Sequence, residues 1–575
     1  MSVLKESNIL RKIFEKHFFA DSKRTITRCS VLSCQKDEFL IKSFLPDAVV
    51  PDVRFLDRLW RDSHNFKKHV AIECAETRKS YTYEDLWAHM ARFATSLRKR
   101  LGFETQDVVA AMLPNCPEYP VIVFGTIQAG GTLTTINPIY KEFEICHQLS
   151  LTQPKLIVTV TECYPTIRSA MSQIKCNAKI IIVDKPYEAI PDGTIRFTEI
   201  GEAGPIDLNV LDKIETNKRD LAFLPFSSGT TGLPKAVEIS QYNIMAGLDM
   251  MQNDRVSLPT LTTQDYQDVV PCVLPFFHIY GLMVTLVGHL ARGCKLISVP
   301  KFSTSLYLDI LKNDKATILY VVPPIALLLS KHPDVKEEHL RSVKHLLCGA
   351  APFSASDAEP LIEKTKGKLN LCQGYGSTET TSLTTSTFLG SNPDYSSSGF
   401  PLGSIDLKFI DPLTETTLPV GVEGELLVRG PNIMRGYYKN ENATKESITE
   451  DGFFKTGDLG YYKPNVGLFI TDRIKELIKV KGMQVAPAEL ESLLRSHPAV
   501  EDAAVIGIPH EISGEVPKAF IITKDGKKTN EEELQDFVAK QVAVFKKIEE
   551  VQFVEEIPKT ASGKILRREL KKMYV

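Results

Sequence analysis

The stretch that decides the fold runs from Phe226 to Ile239 and reads FSSGTTGLPKAVEI. It follows the apolar run Leu221 to Leu224 and combines serines, threonines and glycines with Lys235. Glycines let the backbone turn tightly and approach a phosphate, while hydroxyls, free N–H groups and a lysine supply donors and positive charge. The pattern therefore predicts a strand, a phosphate-binding loop and a second strand. The spacing is not that of a Walker P-loop, because Lys235 follows Gly232 behind a proline.

Around this loop, from about residue 70 to 300, short apolar runs alternate with helix-patterned stretches. The runs include VVAAML (108–113), LIVTV (156–160) and KIIIVD (179–184). Strands separated by stretches of helical length indicate a parallel sheet with crossover helices. The fold class predicted for this part of the chain is α/β.

The hydrophobic pattern changes between residues 407 and 470. Here LKFID, GELLVRG and YYKPNVGLFITD predict short strands with alternating apolar and polar residues, joined by Gly and Pro turns. Such strands are typical of a small antiparallel β subdomain. After Asp472 the pattern is mixed again: VAPAELESLLRSH and EEELQDFVAKQV predict helices, and AAVIGIP and KAFIIT predict strands. The last hundred residues are expected to form a small α+β domain.

Composition excludes several classes of protein. The 575 residues include 69 Lys+Arg and 71 Asp+Glu, a net charge of -2, so no general affinity for nucleic acid is expected and any anion site must be local. Hydrophobic residues make up 43% and charged residues 24%, which is ordinary globular usage and excludes a disordered or fibrous chain. The 11 cysteines contain no C-x-x-C pair, which indicates reduced thiols in an intracellular protein.

The segment from Val269 to Ala291 has no charged residue and is long enough to cross a bilayer. It is interrupted by Pro271, Pro275 and Gly281 and changes period along its length. We therefore expect a core strand, a loop and a buried helix, and no transmembrane span.

The first 35 residues are basic, with apolar residues at helical spacing. This pattern is typical either of a mitochondrial transit peptide or of a surface extension helix. The chain ends Met573-Tyr574-Val575, which is not the Ser-Lys-Leu peroxisomal address. The expected location is intracellular: the basic N-terminus is compatible with a mitochondrial location, and cytoplasmic and peroxisomal locations are the alternatives.

Further motifs follow the loop in order along the chain. They are GAAP (349–352), QGYGSTET (373–380), GELLVRGP (424–431), GYY (436–438), FFKTGDLG (453–460), DRIKELIKVKGMQVAPAELE (472–491) and PKTASGKILRREL (558–570). With the loop, they closely resemble the adenylate-forming superfamily of acyl-CoA synthetases, plant 4-coumarate–CoA ligases, beetle luciferases and peptide-synthetase adenylation domains. The resemblance covers roughly residues 40 to 570. It implies an extension over 1–35, a large adenylation domain over 36–472 and a small mobile domain over 473–575, with a hinge near 473–476.

The resemblance also implies which residues bind the nucleotide. They are Ser227, Ser228, Gly229, Thr230, Thr231, Gly232, Lys235, Gly349, Ala350, Ala351, Gln373, Gly374, Tyr375, Gly376, Thr378, Asp458, Arg473 and Lys475. Tyr375 would lie against the adenine, and Thr378 would donate to a phosphate. Asp458 would accept both ribose hydroxyls, with Arg473 beside it. Glu379 would bind Mg²⁺ as a hard oxygen ligand that bridges the protein and the phosphates.

Four more residues would act in catalysis. Lys564 would reach the α-phosphate and the acid carboxylate as charge builds, and His278 would lie beside that carboxylate. Lys479 and Gln484 match residues that serve thioester formation once the small domain has swung about Lys475. Apart from Lys564, the basic residues near the end of the chain are interpreted as a solvated basic surface. They are Lys559, Arg567, Arg568, Lys571 and Lys572.

The resemblance therefore implies an ATP-dependent acid–CoA ligase of the 4-coumarate–CoA-ligase and luciferase-like branch. Its substrates would be ATP with Mg²⁺, coenzyme A and a fatty or arylpropanoid acid. The acid would lie against Ile279 and Tyr280, with Gly349, Ala350 and Gly374 nearby. Two alternatives are a luciferase-like adenylating oxygenase and an adenylation domain that loads a carrier protein. A binding module without activity would need broken catalytic positions, and the sequence shows none.

Overall fold

The computed structural model describes nine stretches of the chain, which together leave out the N-terminal extension and several short internal segments. They are residues 38–185, 187–227, 233–351, 353–391, 394–480, 483–510, 513–542, 544–560 and 563–574. The predicted extension over 1–35 and the loop residues Ser228 to Gly232 lie outside the described residues. The chain forms a large N-terminal domain with two mainly parallel sheets, a mixed sheet and an antiparallel sheet, followed by a small C-terminal domain.

The first sheet has seven strands and confirms the predicted α/β pattern. Across the sheet they are Ile239–Ser240, Leu221–Phe223, Thr132–Thr135, Val108–Met112, Leu156–Thr159, Lys179–Ile182 and Ile195–Arg196. All neighbours are parallel except the edge strand Ile239–Ser240. Every residue of Val108–Met112 is buried, as expected for a central parallel strand with both faces covered.

The helices next to this sheet begin where the sequence provides starting signals. Tyr83–Arg100 starts at a capping box in which Thr82 and Asp85 satisfy each other's backbone N–H groups. The other helices of this part are Phe55–Leu59, Glu118–Gln128, Glu142–Thr152, Tyr164–Gln173, Leu208–Leu211 and Gln241–Met251. Glu118–Gln128 is buried along almost its whole length, so it lies inside the main hydrophobic core.

Two further sheets complete the parallel part of the large domain. The second contains Val269–Cys272, Lys295–Ser298, Val70–Cys74 and Ser80–Thr82, and the third contains Ile318–Val321, His345–Cys348, Asn370–Ser377, Ser382–Ser386 and Phe400–Pro401. Their helices are Gly288–Leu290, Thr304–Asn313, Pro323–Lys331, Glu337–Leu340 and Ala355–Lys364. In the third sheet the first three strands are parallel, so their carboxyl ends meet at one edge.

The stretch from Val269 to Ala291 is the predicted strand, loop and buried helix. Val269–Cys272 is a strand, and Tyr280–Val287 is a fully buried helix of the π type. Among the described residues, no helix is both long enough and apolar enough to span a bilayer.

The fourth sheet is antiparallel, as predicted for residues 407–470. Its strands are Ile41–Lys42, Asp406–Ile410, Gly424–Arg429, Phe454–Lys463 and Gly467–Arg473, with Thr417–Leu418 beside Asp406–Ile410. Buried and half-exposed residues alternate along Asp406–Ile410, because one face of the strand packs on the subdomain core. The helix Glu441–Ser447 precedes Phe454–Lys463.

The small C-terminal domain is built on a fifth sheet. Its strands are Met483–Val485, Ile478–Val480, Gly514–Thr523 and Val500–His510, with Glu550–Phe553 parallel to Gly514–Thr523. Its helices are Pro487–Ser496, Glu531–Ala539 and Arg567–Tyr574. Pro487–Ser496 begins with a proline, whose missing N–H costs nothing at a helix start. The predicted α+β class of this domain is confirmed.

The prediction that the basic residues around Lys564 form a solvated surface is wrong for two of them. Arg567 binds Glu476 at 2.5 Å and Glu491 at 2.7 Å, and its side chain is only 15% exposed. Lys559 binds Asp502 at 2.5 Å. Charge spacing alone could not reveal these pairs, because each acidic partner lies more than fifty residues away in sequence.

Candidate functional site

The loop that decides the fold is carried on a two-stranded hairpin. Phe226 pairs with Ala236 and Ser227 pairs with Lys235, in antiparallel register. His147, on the helix Glu142–Thr152, holds this hairpin from outside with a 2.7 Å hydrogen bond between Nε2 and the Pro234 carbonyl. The hairpin thereby fixes both ends of the segment Ser228 to Gly232, which itself lies outside the described residues.

Two neighbouring strands of the third sheet bring the GAAP and QGYG motifs together. His345–Cys348 and Asn370–Ser377 are parallel, so the residues at their carboxyl ends are adjacent. A Cβ atom at Gly349 would lie 3.3 Å from the Gly374 carbonyl oxygen. Ala350 has φ 72°, a left-handed conformation that is strained for a residue with a side chain and is characteristic of functional sites.

Gln373 connects this edge of the sheet to two neighbouring loops through its side-chain amide. It is 5% exposed, and its side-chain amide donates to the carbonyls of Phe353, at 2.9 Å, and Tyr395. Both contacts stabilise the loop around the GAAP motif, so they occupy the amide group with protein acceptors. Gly376 is required sterically, since a Cβ there would come 1.6 Å from the Ser382 carbonyl oxygen.

Tyr375, Asp458 and Arg473 form a connected group at the border of the antiparallel sheet. Asp458 and Arg473 face each other on adjacent strands, and Nε of Arg473 lies 3.0 Å from Oδ1 of Asp458. The Tyr375 hydroxyl donates to Oδ2 of the same carboxylate at 2.6 Å. Asp458 is 5% exposed and is the largest cause of the raised pKa of Arg473. The arrangement holds a buried carboxylate in one orientation through two hydrogen-bonding partners.

Glu379 is held by a residue that the motif analysis did not single out. The Tyr437 hydroxyl donates to Oε1 of Glu379 at 3.0 Å, and Nζ of Lys235 lies 4.9 Å from the centre of the Tyr437 ring. Burial is the main cause of the raised pKa of Tyr437, with the charge of Glu379 second. The only sequence signal for Tyr437 was its place in the GYY motif.

The donor set around Glu379 fits magnesium bound chiefly by a nucleotide. Glu379 is 7% exposed, and no described cation forms an ion pair with it. Within the described ranges no cluster of three or more His, Cys, Asp or Glu could form a metal cage. Mg²⁺ is commonly held by one or two carboxylates with phosphate oxygens and water, so a single buried carboxylate beside a phosphate loop is sufficient.

Lys564 reaches the site from the C-terminal domain. Its loop rests on the large domain, since a Cβ atom at Gly563 would lie 3.0 Å from Cδ of Pro324. Within the loop, the Lys564 N–H donates to Oγ1 of Thr560 at 3.1 Å, and its carbonyl accepts from the Thr560 N–H at 2.8 Å. In the described position of the small domain, the loop of Lys564 therefore lies against the large domain.

Charges from both domains act on Lys564. Desolvation is the main reason that its pKa falls to about 8, and Arg473 lowers it further, against the attraction of Asp458 and Glu379. Desolvation likewise lowers the pKa of His278 to about 4, with Lys564 as the second cause. Nδ1 of His278 accepts the Tyr280 N–H at 3.3 Å, so the neutral ring carries its proton on Nε2.

The expected acid pocket is partly assembled around Tyr280. A Cβ at Gly349 would lie 3.5 Å from Cε1 and from the hydroxyl of Tyr280, whose hydroxyl donates to the Leu347 carbonyl at 3.2 Å. Ile279 is 4% exposed and belongs to the main core. The structure therefore brings Tyr280, Gly349 and Gly374 together.

Lys479 and Gln484 lie elsewhere on the small domain. They pair across the hairpin formed by Ile478–Val480 and Met483–Val485, and Lys479 is exposed. Lys475 lies nearer the site: desolvation and Arg473 lower its pKa, and Asp458 and Glu379 oppose them. In the described position of the small domain, Asp458 and Glu379 act on the pKa of Lys564, while Lys479 is exposed on its own hairpin.

Fold and site together define a two-domain, nucleotide-binding enzyme. Residues 59–438 match the family model of AMP-binding enzymes, and residues 489–564 match the model of the AMP-binding enzyme C-terminal domain. The chain belongs to the AMP-binding enzyme family.

Individual relatives are similar over almost their whole length. The chain is 36% identical over 554 residues to a probable 4-coumarate–CoA ligase 2 of Dictyostelium discoideum, covering 93% of this chain and 98% of the relative. It is 35% identical over 547 residues to 4-coumarate–CoA ligase 1 of Arabidopsis thaliana, covering 93% and 95%. The crystal structure of ATP-bound MatB from Rhodopseudomonas palustris superposes with a TM-score of 0.81 at 27% identity, covering 91% of this chain and 99% of that one.

Proposed function

We propose that this enzyme is an ATP-dependent acid–CoA ligase. A carboxylate oxygen attacks the α-phosphorus of ATP, the bond to pyrophosphate breaks, and an acyl adenylate forms. A CoA thiolate then attacks the acyl carbon, and AMP leaves with the electron pair of the broken C–O bond. The observation that carries the proposal is that the loop of Lys564, from the C-terminal domain, rests on Pro324 of the large domain, where the charges of Asp458 and Glu379 raise the pKa of Lys564 against desolvation. The curated relatives named as CoA ligases, at about 35% identity, support it.

In this proposal the nucleotide lies along the edge where the site residues meet. Asp458 binds the ribose hydroxyls through the carboxylate that Arg473 and Tyr375 hold in place. The phosphates meet Lys235 with the serines and threonines of the loop, and Thr378. When bound, Mg²⁺ would neutralise phosphate charge, with Glu379 as its protein ligand. Gln373 acts as support for the loop, because protein carbonyls occupy its amide group.

Lys564 and His278 would supply the local charge and hydrogen bonding for the first step. Two anions, the acid and the nucleotide, must approach each other, so the barrier is largely electrostatic. A desolvated ammonium is worth more in such a site than one in water, because the surroundings screen it less. His278, neutral with its proton on Nε2, offers a donor without a second positive charge.

The second step needs a different face of the C-terminal domain. One site cannot hold pyrophosphate and a thiol nucleophile in the same place, so the domain would swing about residues 473–476. The swing would withdraw Lys564 and bring up the hairpin on which Lys479 pairs with Gln484. The domain division at residue 472 follows from this hinge.

For the acid we propose a fatty or arylpropanoid carboxylate. The ring of Tyr280 borders Gly349, where a Cβ would lie 3.5 Å from both Cε1 and the hydroxyl of Tyr280. The curated relatives named 4-coumarate–CoA ligase support an arylpropanoid acid.

The test is a panel of carboxylic acids assayed for acid-dependent exchange of pyrophosphate into ATP, followed by CoA thioester formation. The proposal requires exchange with at least one acid and thioester formation with the same acid. Exchange without thioester, together with light emission or acylation of a carrier protein, would favour one of the two alternatives. Normal ATP binding without AMP release for any acid would refute the proposal.

A further inference from the structure

Tyr437 has a position that no motif role accounts for. The segment Met434 to Tyr438 runs beside the strand that leaves the phosphate loop. The Tyr438 N–H donates to the Ala236 carbonyl and the Arg435 N–H donates to the Glu238 carbonyl, both at 2.9 Å. Tyr437 forms an antiparallel bridge with Val237. Its backbone is therefore fixed against the loop hairpin.

The same part of the chain also forms hydrogen bonds with Glu379 and the two residues that follow it. The Met434 N–H donates to the Glu379 carbonyl at 2.8 Å. The Asn432 side chain donates to the Thr380 carbonyl at 2.8 Å, and Oγ1 of Thr381 donates to the Asn432 carbonyl at 2.6 Å. Glu379 is thus held through its own backbone and through both residues that follow it.

The Tyr437 side chain adds the contact to the carboxylate itself. Tyr437 is 7% exposed, and its hydroxyl donates to Oε1 of Glu379 at 3.0 Å. Nζ of Lys235 lies 4.9 Å from the centre of its ring. A phenol is protonated near neutral pH, so it is a donor, and a buried aromatic ring attracts a nearby ammonium. Ser227, opposite Lys235 in the hairpin, is buried, and its hydroxyl is among the groups that lower the pKa of Tyr437.

We propose that Tyr437 is a positioning residue that links Glu379, the proposed Mg²⁺ ligand, to Lys235 at the phosphate loop. Its hydroxyl fixes one oxygen of Glu379, which leaves the other oxygen for Mg²⁺, and its ring holds Lys235 at the loop. The inference rests on the proposed use of Mg-ATP but not on the acid or on CoA.

The experiment compares ATP binding to the full chain by isothermal titration calorimetry, at saturating Mg²⁺ and in EDTA. Tyr437→Phe keeps the ring and removes the hydroxyl. Because hydrogen bonds to charged groups contribute more than neutral ones, we expect about tenfold weaker ATP binding with Mg²⁺ and unchanged binding in EDTA. Tyr437→Leu, which also loses the ring beneath Lys235, should weaken ATP binding in both conditions.

The matched control is Tyr438→Phe, whose ring lies 4.9 Å from Nζ of the exposed Lys439. It should bind ATP like the unmodified chain in both conditions. A double-mutant cycle of Tyr437→Phe with Glu379→Gln should be strongly non-additive, because the hydroxyl acts through that carboxylate. Thermal unfolding of each variant separates a folding defect from a binding one.

Additive effects in the cycle, an equal loss with and without Mg²⁺ for Tyr437→Phe, or no loss at all would each overturn the inference. A chain that binds Mg-ATP as expected but activates no acid would refute the proposed ligase function and leave this inference standing. The two failures are therefore distinguishable.

Discussion

The hydroxyl of Tyr375 donates a 2.6 Å hydrogen bond to Asp458, a residue 83 positions further along the chain. The bond joins the third sheet to the antiparallel sheet at the point where Arg473, the last residue of its strand, also binds Asp458. The proposed ribose carboxylate is therefore set by a contact between two sheets and stands next to the proposed hinge.

Replacing Asp458 by Asn should weaken nucleotide binding. The amide offers a weaker acceptor to the ribose and leaves the Arg473 guanidinium without its counter-charge, and hydrogen bonds to charged groups are worth about 1.5–3 kcal/mol. We expect the KM for ATP in pyrophosphate exchange to rise by about tenfold or more. Glu415→Gln, which breaks the exposed Lys455–Glu415 pair, is the control and should leave KM unchanged. Similar KM values for the two variants would argue against a ribose role for Asp458.

Lys564→Ala and Lys479→Ala should affect different half-reactions. Removing Lys564 takes away the ammonium that faces the nucleotide site, so acid-dependent pyrophosphate exchange should fall by about a hundredfold or more. The variant should still form thioester from synthetic acyl adenylate and CoA.

Lys479→Ala should show the reverse pattern, because Lys479 is exposed on a hairpin of the small domain and would act only after the swing. Exchange should be close to normal, and thioester formation from supplied adenylate should slow. Equal loss of both steps in the Lys479 variant would contradict an alternating C-terminal domain.

The pH dependence of the first step should reveal the environment of Lys564. Its pKa is lowered to about 8, chiefly by desolvation, so the charged form is complete well below pH 8 and is lost as the pH rises through that value. We expect kcat/KM for ATP in the exchange reaction to fall above about pH 8, since this parameter reports the free enzyme. Lys564→Arg keeps its charge and should remove that alkaline decline. A decline shared by both proteins would have to come from another group.

Much of this arrangement could be predicted from sequence, because the decisive motifs are local. The chemistry of its loop predicts a role for Lys235, whereas the roles of Tyr375, Glu379 and Asp458 are implied by the family resemblance of their short motifs. The parallel strands were equally visible: Val108–Met112 is a continuous apolar run because it is buried on both faces.

Contacts between distant segments could not be predicted. The hydroxyl of Tyr437 meets Glu379 across 58 residues, and nothing near either residue in sequence signals the other. For the same reason the sequence predicts a solvated Arg567, although its side chain is only 15% exposed and pairs with Glu476 and Glu491. Spacing reveals a residue's neighbours along one element, whereas tertiary packing decides whether a charge is paired.

Arg567 should accordingly be a principal stabilising residue of the C-terminal domain. Its guanidinium donates to Glu476, Glu491 and the Val505 carbonyl, and the Glu491 side chain is 5% exposed. Removing one partner of a buried pair leaves an uncompensated charge, which typically costs about 3–5 kcal/mol. Arg567→Ala should therefore lower the unfolding free energy of this domain, measured by hydrogen exchange of the Val500–His510 strand.

The neighbouring exposed Arg568 provides the control, and Arg568→Ala should change stability by no more than about 0.5 kcal/mol. Replacing both partners, with Arg567→Met and Glu491→Leu, should recover a large part of the loss, because the penalty arises from the orphaned carboxylate more than from the missing attraction. Equal exchange rates in Arg567→Ala and Arg568→Ala would show that the paired guanidinium contributes nothing to the domain. If the double replacement were as unstable as Arg567→Ala alone, the lost packing of the arginine stem would be the cause.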